Sequence, residues 1–310
     1  MADLLHLVDK PEGWTSHDAV ARMRSILHEE RVGHAGTLDP FASGLLLVGE
    51  GRATAALAPL GLLPKRYLAR ARLGVVTDTQ DRTGVVLSKT DRLPEPSAIE
   101  PALGAFRGAI RQTPPLYSAV KVKGERLYKS ARRGIEVERE DRPVHVYDLD
   151  LVDGSLPEIT LDLTVSRGTY VRTLAHDLGA ALGCGAHLVS LRRLSSGPFR
   201  AEDALSCDRA SGNGESEFRR RALPLHEALA FLPRVALTDE EASRLRHGRA
   251  PVIARERVIA PEREWPLPPG EMGWPLALTG AGGEVLGLAR PWHEQTDGEP
   301  ARLLRVLQGS

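Results

Sequence analysis

Two spacings of apolar residues alternate along the chain. In residues 66–73, Tyr67, Ala69, Ala71 and Leu73 fall on one side and Arg66, Leu68, Arg70 and Arg72 on the other, the period of a half-buried strand. Ile159, Leu161, Leu163 and Val165 repeat it, and short apolar runs at residues 4–8, 45–48 and 144–152 predict further strands. Val20, Met23 and Leu27 recur at helical spacing behind Thr15 and Ser16, predicting a capped helix to about residue 30. Residues 53–60 read as a helix, and residues 171–182 carry the same period, stopped by Gly183. Ser97 to Glu100 reads as a capping box opening a helix to about residue 106. Residues 117–122 read as a strand turned at Gly124, and 125–133 as a basic helix stopped by Gly134. Residues 188–194 fit both a strand and a helix. Residues 31–44 read as a glycine-punctuated loop, and 209–221 as a surface loop or linker.

A second unit begins near Pro233. Thr238 to Glu241 caps a short helix ending at Gly248, and residues 274–290 read as a hairpin around Gly280 to Gly283. Strands and helices are interspersed without a regular βαβ array, which predicts an α+β fold. No internal repeat is visible.

The chain has 310 residues, 42% of them hydrophobic, enough for a packed core. No apolar run approaches the ~18 residues of a membrane span, and the N-terminal residues lack the pattern of a signal peptide, so a cytoplasmic protein is expected. Cys184 and Cys207 form no CxxC pair, and the ten histidines form no zinc signature. Net charge is zero, 41 Lys+Arg against 41 Asp+Glu, but its distribution is uneven. Arg107, Arg111, Lys121, Lys123, Arg126, Lys129, Arg132 and Arg133 face a single acid, Glu125. That stretch suits phosphate contacts or an ordinary solvated face.

The densest chemistry lies in Gly33-His34-Ala35-Gly36-Thr37-Leu38-Asp39-Pro40, followed by Gly44. Glycines permit tight turns and close ligand approach, and a residue before proline is held extended. This either presents Asp39 rigidly as a reactive carboxylate or makes it a plain turn starter; spacing alone leaves both open. A second stretch, Ser166 to Thr173, follows an alternating strand and opens a helix with Arg172 in its first turn, where a cation is electrostatically unusual and a nearby carboxylate would account for it. Gly49-x-Gly51 is too short for a dinucleotide fingerprint, and no P-loop or serine-nucleophile motif occurs.

Asp9-Lys10-Pro11-x-Gly13, Ser16-x-Asp18, the Asp39 stretch, Lys65-Arg66-Tyr67, Thr77-Asp78-Thr79-x-Asp81, Pro114-Pro115-x-Tyr117-Ser118-Ala119, Gly168-Thr169-Tyr170-Val171-Arg172, Gly185-Ala186-His187 and Leu191-Arg192-Arg193-Leu194 follow one another in order. Together they resemble the TruB family of tRNA pseudouridine synthases. One departure is Ala55 after Gly51-Arg52-Ala53-Thr54, where family members often carry lysine.

The resemblance implies a catalytic domain of the pseudouridine synthase type, a mixed, largely antiparallel sheet, at residues 1–231 with an RNA-clamping insertion at about 107–142. A small β-rich PUA-like RNA-binding domain follows at 232–310. It implies isomerisation of uridine 55 in the T arm of tRNA, without cofactor or metal, by a monomer with no obligate protein partner and no membrane. Asp39 is then the catalytic carboxylate, Arg172 its ion-pair partner, and Tyr67 the ring that stacks on the target base. His34 fills the space left by the flipped nucleotide, Leu191 closes the pocket and Lys10 supports it, with Tyr170 and Lys65 as further substrate-binding residues. Lys121, Lys123 and Arg126 hold stem phosphates. Two other readings stand: a guide-RNA-dependent rRNA synthase, and a non-catalytic tRNA-folding chaperone using the same surface.

Overall fold

The computed structural model describes residues 3–117, 121–122, 125–126, 139–297 and 299–307, with backbone alone at 121–122 and 125–126. In chain order the elements are β1 (Leu4–Lys10), α1 (Ser16–Leu27), β2 (Val32–Ala35), β3 (Ser43–Glu50), α2 (Leu57–Leu62), β4 (Lys65–Leu73), β5 (Val75–Thr77), β6 (Val86–Lys89), α3 (Ile99–Gly104), β7 (Gly108–Gln112), β8 (Lys121–Val122) and β9 (Glu125–Arg126). They continue with β10 (Arg142–Asp153), β11 (Glu158–Val165), α4 (Val171–Ala181), β12 (Ala186–Ser196), β13 (Phe199–Arg200), β14 (Leu205–Ser206), α5 (Glu215–Arg221), β15 (Leu223–Pro224), α6 (Leu225–Ala228), β16 (Arg234–Ala236), α7 (Asp239–Arg246), β17 (Leu276–Thr279), β18 (Val285–Ala289) and β19 (Leu303–Val306).

The chain forms two compact units, one of Met1–Pro40, Gly44–Leu63 and Gly197–Ser310, the other of Phe41–Ser43 and Pro64–Ser196. In the first, β1 pairs in parallel with β14 and antiparallel with β3, and β2 adds to β3 with His34 opposite Val48. The unbroken run Leu45 to Val48 follows from burial on both faces. Leu46 and Val48 join Val8, Met23, Leu27 and Phe218 in one core, while Leu45 and Leu47 join Leu5, Leu60 and Leu63 in another. That second core also holds Ala277, Val285 and Leu288 of the C-terminal sheet, whose order is β16-β17-β18-β19. The sheet has a further core of its own around Val235, Leu245, Leu278 and Leu286.

The second unit is built on the antiparallel order β12-β4-β11-β10-β7. Helix α4 packs on β12. A Cβ on Gly179 would stand 2.3 Å from the Ala186 amide nitrogen, so glycine is what lets the helix approach.

Residues 188–194 are strand, settled by pairing with β4 rather than by local period. Four expectations are corrected. Within residues 31–44, 32–35 form β2, their backbone groups satisfied by β3. Ser97 caps nothing: Pro96 opens a 3₁₀ turn over Pro96–Ala98, closed by Ala98 N–H to Glu95 O, and α3 begins behind it without a side-chain cap. Residues 209–221 contain α5, held by Glu215–Arg219 and Glu217–Arg221 pairs at i,i+4, with Phe218 buried in the core. Glu125–Arg126 is extended and paired with Lys121–Val122 rather than helical; the rest of the expected basic helix lies outside the described residues. Among the described residues no helix is long and apolar enough to cross a membrane.

Candidate active site

Asp39 is half-buried in the turn that joins β2 to β3. Gly36 has φ +81°, a conformation L side chains rarely adopt, so glycine is required where the chain leaves β2. The residues on either side of Asp39 are both anchored. Leu38 is buried, its N–H donates to the Ser16 hydroxyl oxygen (2.9 Å), and that hydroxyl donates to Leu38 O (3.2 Å). Pro40 O accepts from Gly13 N–H at 2.8 Å. The anchors are fixed in turn. Thr15 and Asp18 form a reciprocal capping box that starts α1 at Ser16, and bonds from the Thr15 hydroxyl and then its N–H hold the Asp18 carboxyl below its ordinary range. The fully buried Lys10 ammonium donates to Pro11 O (2.8 Å) and Trp14 O (2.6 Å), stiffening the turn that carries Gly13. His34 is half-buried on β2, with its ring edge-on to His17 at 6.1 Å between centroids.

Of the other residues singled out from sequence, those with described side chains lie in the second unit, which the chain enters at Phe41, two residues past Asp39. Tyr67 sits on the buried face of β4, opposite Arg193 of β12 and Leu163 of β11. Leu191, opposite Ala69, shares that face. The buried Arg193 donates from Nε to the Tyr67 hydroxyl (3.2 Å), its guanidinium carbon 5.6 Å from the ring centroid. Lys65 is buried two residues earlier on the same strand. Burial, and then the charges of Arg193 and Arg167, push its ammonium pKa well below the ordinary value.

Arg172 enters α4 in its first turn and is 3% exposed. Its guanidinium donates to Asp81 Oδ2 (3.2 Å), Thr79 O (2.9 Å) and Tyr117 O (3.0 Å). Asp81, also 3% exposed, is oriented through Oδ1 by Thr83 N–H (2.9 Å) and by the hydroxyls of Thr79 (2.9 Å) and Thr83 (2.5 Å). The arginine is thereby held in one geometry by a carboxylate and two carbonyls. Tyr170, the residue before α4, is gripped by the Gln112 carboxamide: its N–H donates to Oε1 (3.0 Å) and its O accepts from Nε2 (3.3 Å). Sequence reasoning missed both Asp81 and Gln112 as members of the site. Asp81 stood in a quoted motif, and the need of Arg172 for a carboxylate was the available signal; Gln112 gave none.

Lys123, and the side chains of Lys121 and Arg126, lie outside the described residues. Among the described residues no group of three His, Cys, Asp or Glu is placed to hold a metal ion.

A profile described as TruB family pseudouridylate synthase (N terminal domain) matches residues 24–171, and one described as tRNA pseudouridylate synthase B C-terminal domain matches residues 172–230. The chain belongs to the TruB family. Similar TruB-family proteins include tRNA pseudouridine synthase B of Syntrophobacter fumaroxidans, 40% identical over 312 residues and covering 98% of this chain and 97% of the relative. That of Geobacter sulfurreducens is 47% identical over 247 residues, 79% of this chain and 81% of the relative. Among solved structures, the crystal structure of a Cbf5-Nop10-Gar1 complex is similar at 29% identity and a TM-score of 0.73, over 99% of this chain and 85% of that one. A H/ACA RNP bound to a substrate RNA containing 2'-deoxyuridine matches at 26% identity and 0.69, over 98% and 85%. As a TruB-family pseudouridine synthase the chain is an isomerase, and its sheets bear out the α+β, largely antiparallel reading with a small C-terminal β unit.

Proposed function

We propose that the enzyme converts uridine 55 in the T arm of tRNA to pseudouridine, with Asp39 as the catalytic carboxylate. The observation that carries this is the double anchoring of the Asp39 turn through Leu38 and Pro40, which fixes the backbone on both sides of the carboxylate before substrate arrives. The reaction breaks the bond from the sugar to N1 of uracil and forms one to C5 of the same base; C5 loses a proton and N1 gains one. No electrons leave the substrate, so the chain's task is to expose the base, supply an anion and accept a proton.

On this reading Asp39 is the anion on which glycosidic cleavage depends. Arg172, already oriented by Asp81, pairs with it and favours its ionised form. Tyr67 stacks on the flipped uracil, an interaction worth on the order of 1–3 kcal/mol, and its hydroxyl oxygen takes up the C5 proton as the proton it carried passes to solvent. His34 occupies the vacated stack, offsetting part of the few kcal/mol that flipping costs. Leu191 closes the apolar side, while Tyr170 and Lys65 contact the nucleotide and Lys10 supports the turn. Lys121, Lys123 and Arg126 grip stem phosphates. Residues 1–231 carry catalysis and 232–310 RNA contact, in a cytoplasmic monomer.

A second reading, guide-directed modification of rRNA, draws on the likeness to Cbf5 assemblies. The relatives at 40–47% identity, named for tRNA, favour the first. Purified protein incubated with tRNA alone separates them: pseudouridine without guide or partner supports the tRNA reading, and dependence on either supports the other.

A further inference from the structure

We infer that Ser16 is a positioning residue for the reaction, its hydroxyl setting the direction of the Asp39 carboxylate. The inference rests on the reading of Asp39 as the catalytic group and adds a residue to which that reading gives no part. One oxygen holds two peptide planes: it accepts from Leu38 N–H at 2.9 Å and donates to Leu38 O at 3.2 Å. Leu38 O belongs to the peptide that leads directly into Asp39, so a rotation of that plane swings the carboxylate. Ser16 is 3% exposed and Leu38 equally so, which keeps water from replacing the hydroxyl. On the far side Gly13 N–H fixes Pro40 O at 2.8 Å, so only Asp39 and Pro40, whose ring restricts its φ, lie between the two fixed planes. A helix cap does not explain this arrangement: Thr15 caps α1 with its own side chain, leaving the Ser16 hydroxyl to the turn.

A group moved by about 1 Å in a reacting pair can cost ~100-fold in rate. Ser16→Ala is therefore expected to lower the single-turnover rate on tRNA by about 10- to 100-fold, with tRNA affinity held within roughly threefold of the parent. A merely structural role would not divide the two. Val20→Ala supplies the matching control, removing packing from the core face of α1 and a share of stability while sparing the Ser16 hydroxyl and the helix cap; its rate should stay within roughly threefold of the parent. Ser16→Cys keeps the shape with a weak donor and acceptor and carries the same test should Ser16→Ala fail to fold. A rate within threefold of the parent in the Ser16 variants overturns the inference, as does an equal loss in Val20→Ala. Asp39→Asn is run alongside: if it retains turnover, the reading of Asp39 fails, whereas inactive Asp39→Asn with active Ser16→Ala removes only Ser16.

Discussion

Arg172 shows what a buried charge demands of its surroundings. At 3% exposure its charge is cut off from water and needs compensating partners, and Asp81, Thr79 O and Tyr117 O provide them. Removing one side of a buried ion pair costs about 3–5 kcal/mol, because the other charge is left uncompensated. Asp81→Ala should lower Tm by several degrees and cut the rate although its carboxylate is assigned no contact with substrate; Arg172→Ala should cut it at least as far. The double variant should be no slower than Arg172→Ala, since the two act as one unit. Single-turnover rates with a thermal melt check this, and additive losses would show independent roles. Asp39 is legible in the sequence because its glycines and proline cluster within a few residues and recur in a family order. Asp81 as the partner of Arg172 is not. The two stand 91 positions apart, and no local period links them.

Elements are legible where burial is one-sided. β4 and β11 alternate because one face is buried in the core while the other is exposed or half-exposed, and α1 shows its stripe for the same reason. β12 is ambiguous, since mixed polar and apolar residues fit both periods and only its pairing with β4 decides. α5 escapes a reading by period because charged residues surround its one core residue. Phe218→Ala should destabilise the protein by about 3–5 kcal/mol, read by chemical denaturation; a loss below ~1 kcal/mol would show that Phe218 is not a core residue. α7 offers a pH test. The Arg257 guanidinium, with help from Thr238 N–H, pushes the Glu241 carboxyl down to about 2 from 4.5. Its contribution is therefore present above pH 4.5 and is lost as pH falls from there through about 2. Glu241→Gln should flatten part of the acid limb of a stability-against-pH curve, modestly because the pair is partly solvated. An unchanged acid limb would remove Glu241 from that role.

Across the molecule, chain order conceals the units. Ala277, Val285 and Leu288 share a core with Leu5, Leu45 and Leu47, so the C-terminal sheet buries residues from the first strands. Strand spacing marks the C-terminal unit in the sequence, but apolar positions carry no record of which distant strand covers them. A chain ending after Leu232 should expose that core, with a lower Tm and a tendency to aggregate on heating; an unaltered melt would show the sheet dispensable. The assignment of Asp39 and of tRNA as substrate meets its sharpest test in mapping pseudouridine in a T-arm minihelix incubated with the purified protein and nothing else. Pseudouridine is expected at the position of uridine 55 with the parent, and none with Asp39→Asn although it binds the RNA as tightly. Product from Asp39→Asn, or no product from the parent until a guide or protein is added, would contradict the assignment.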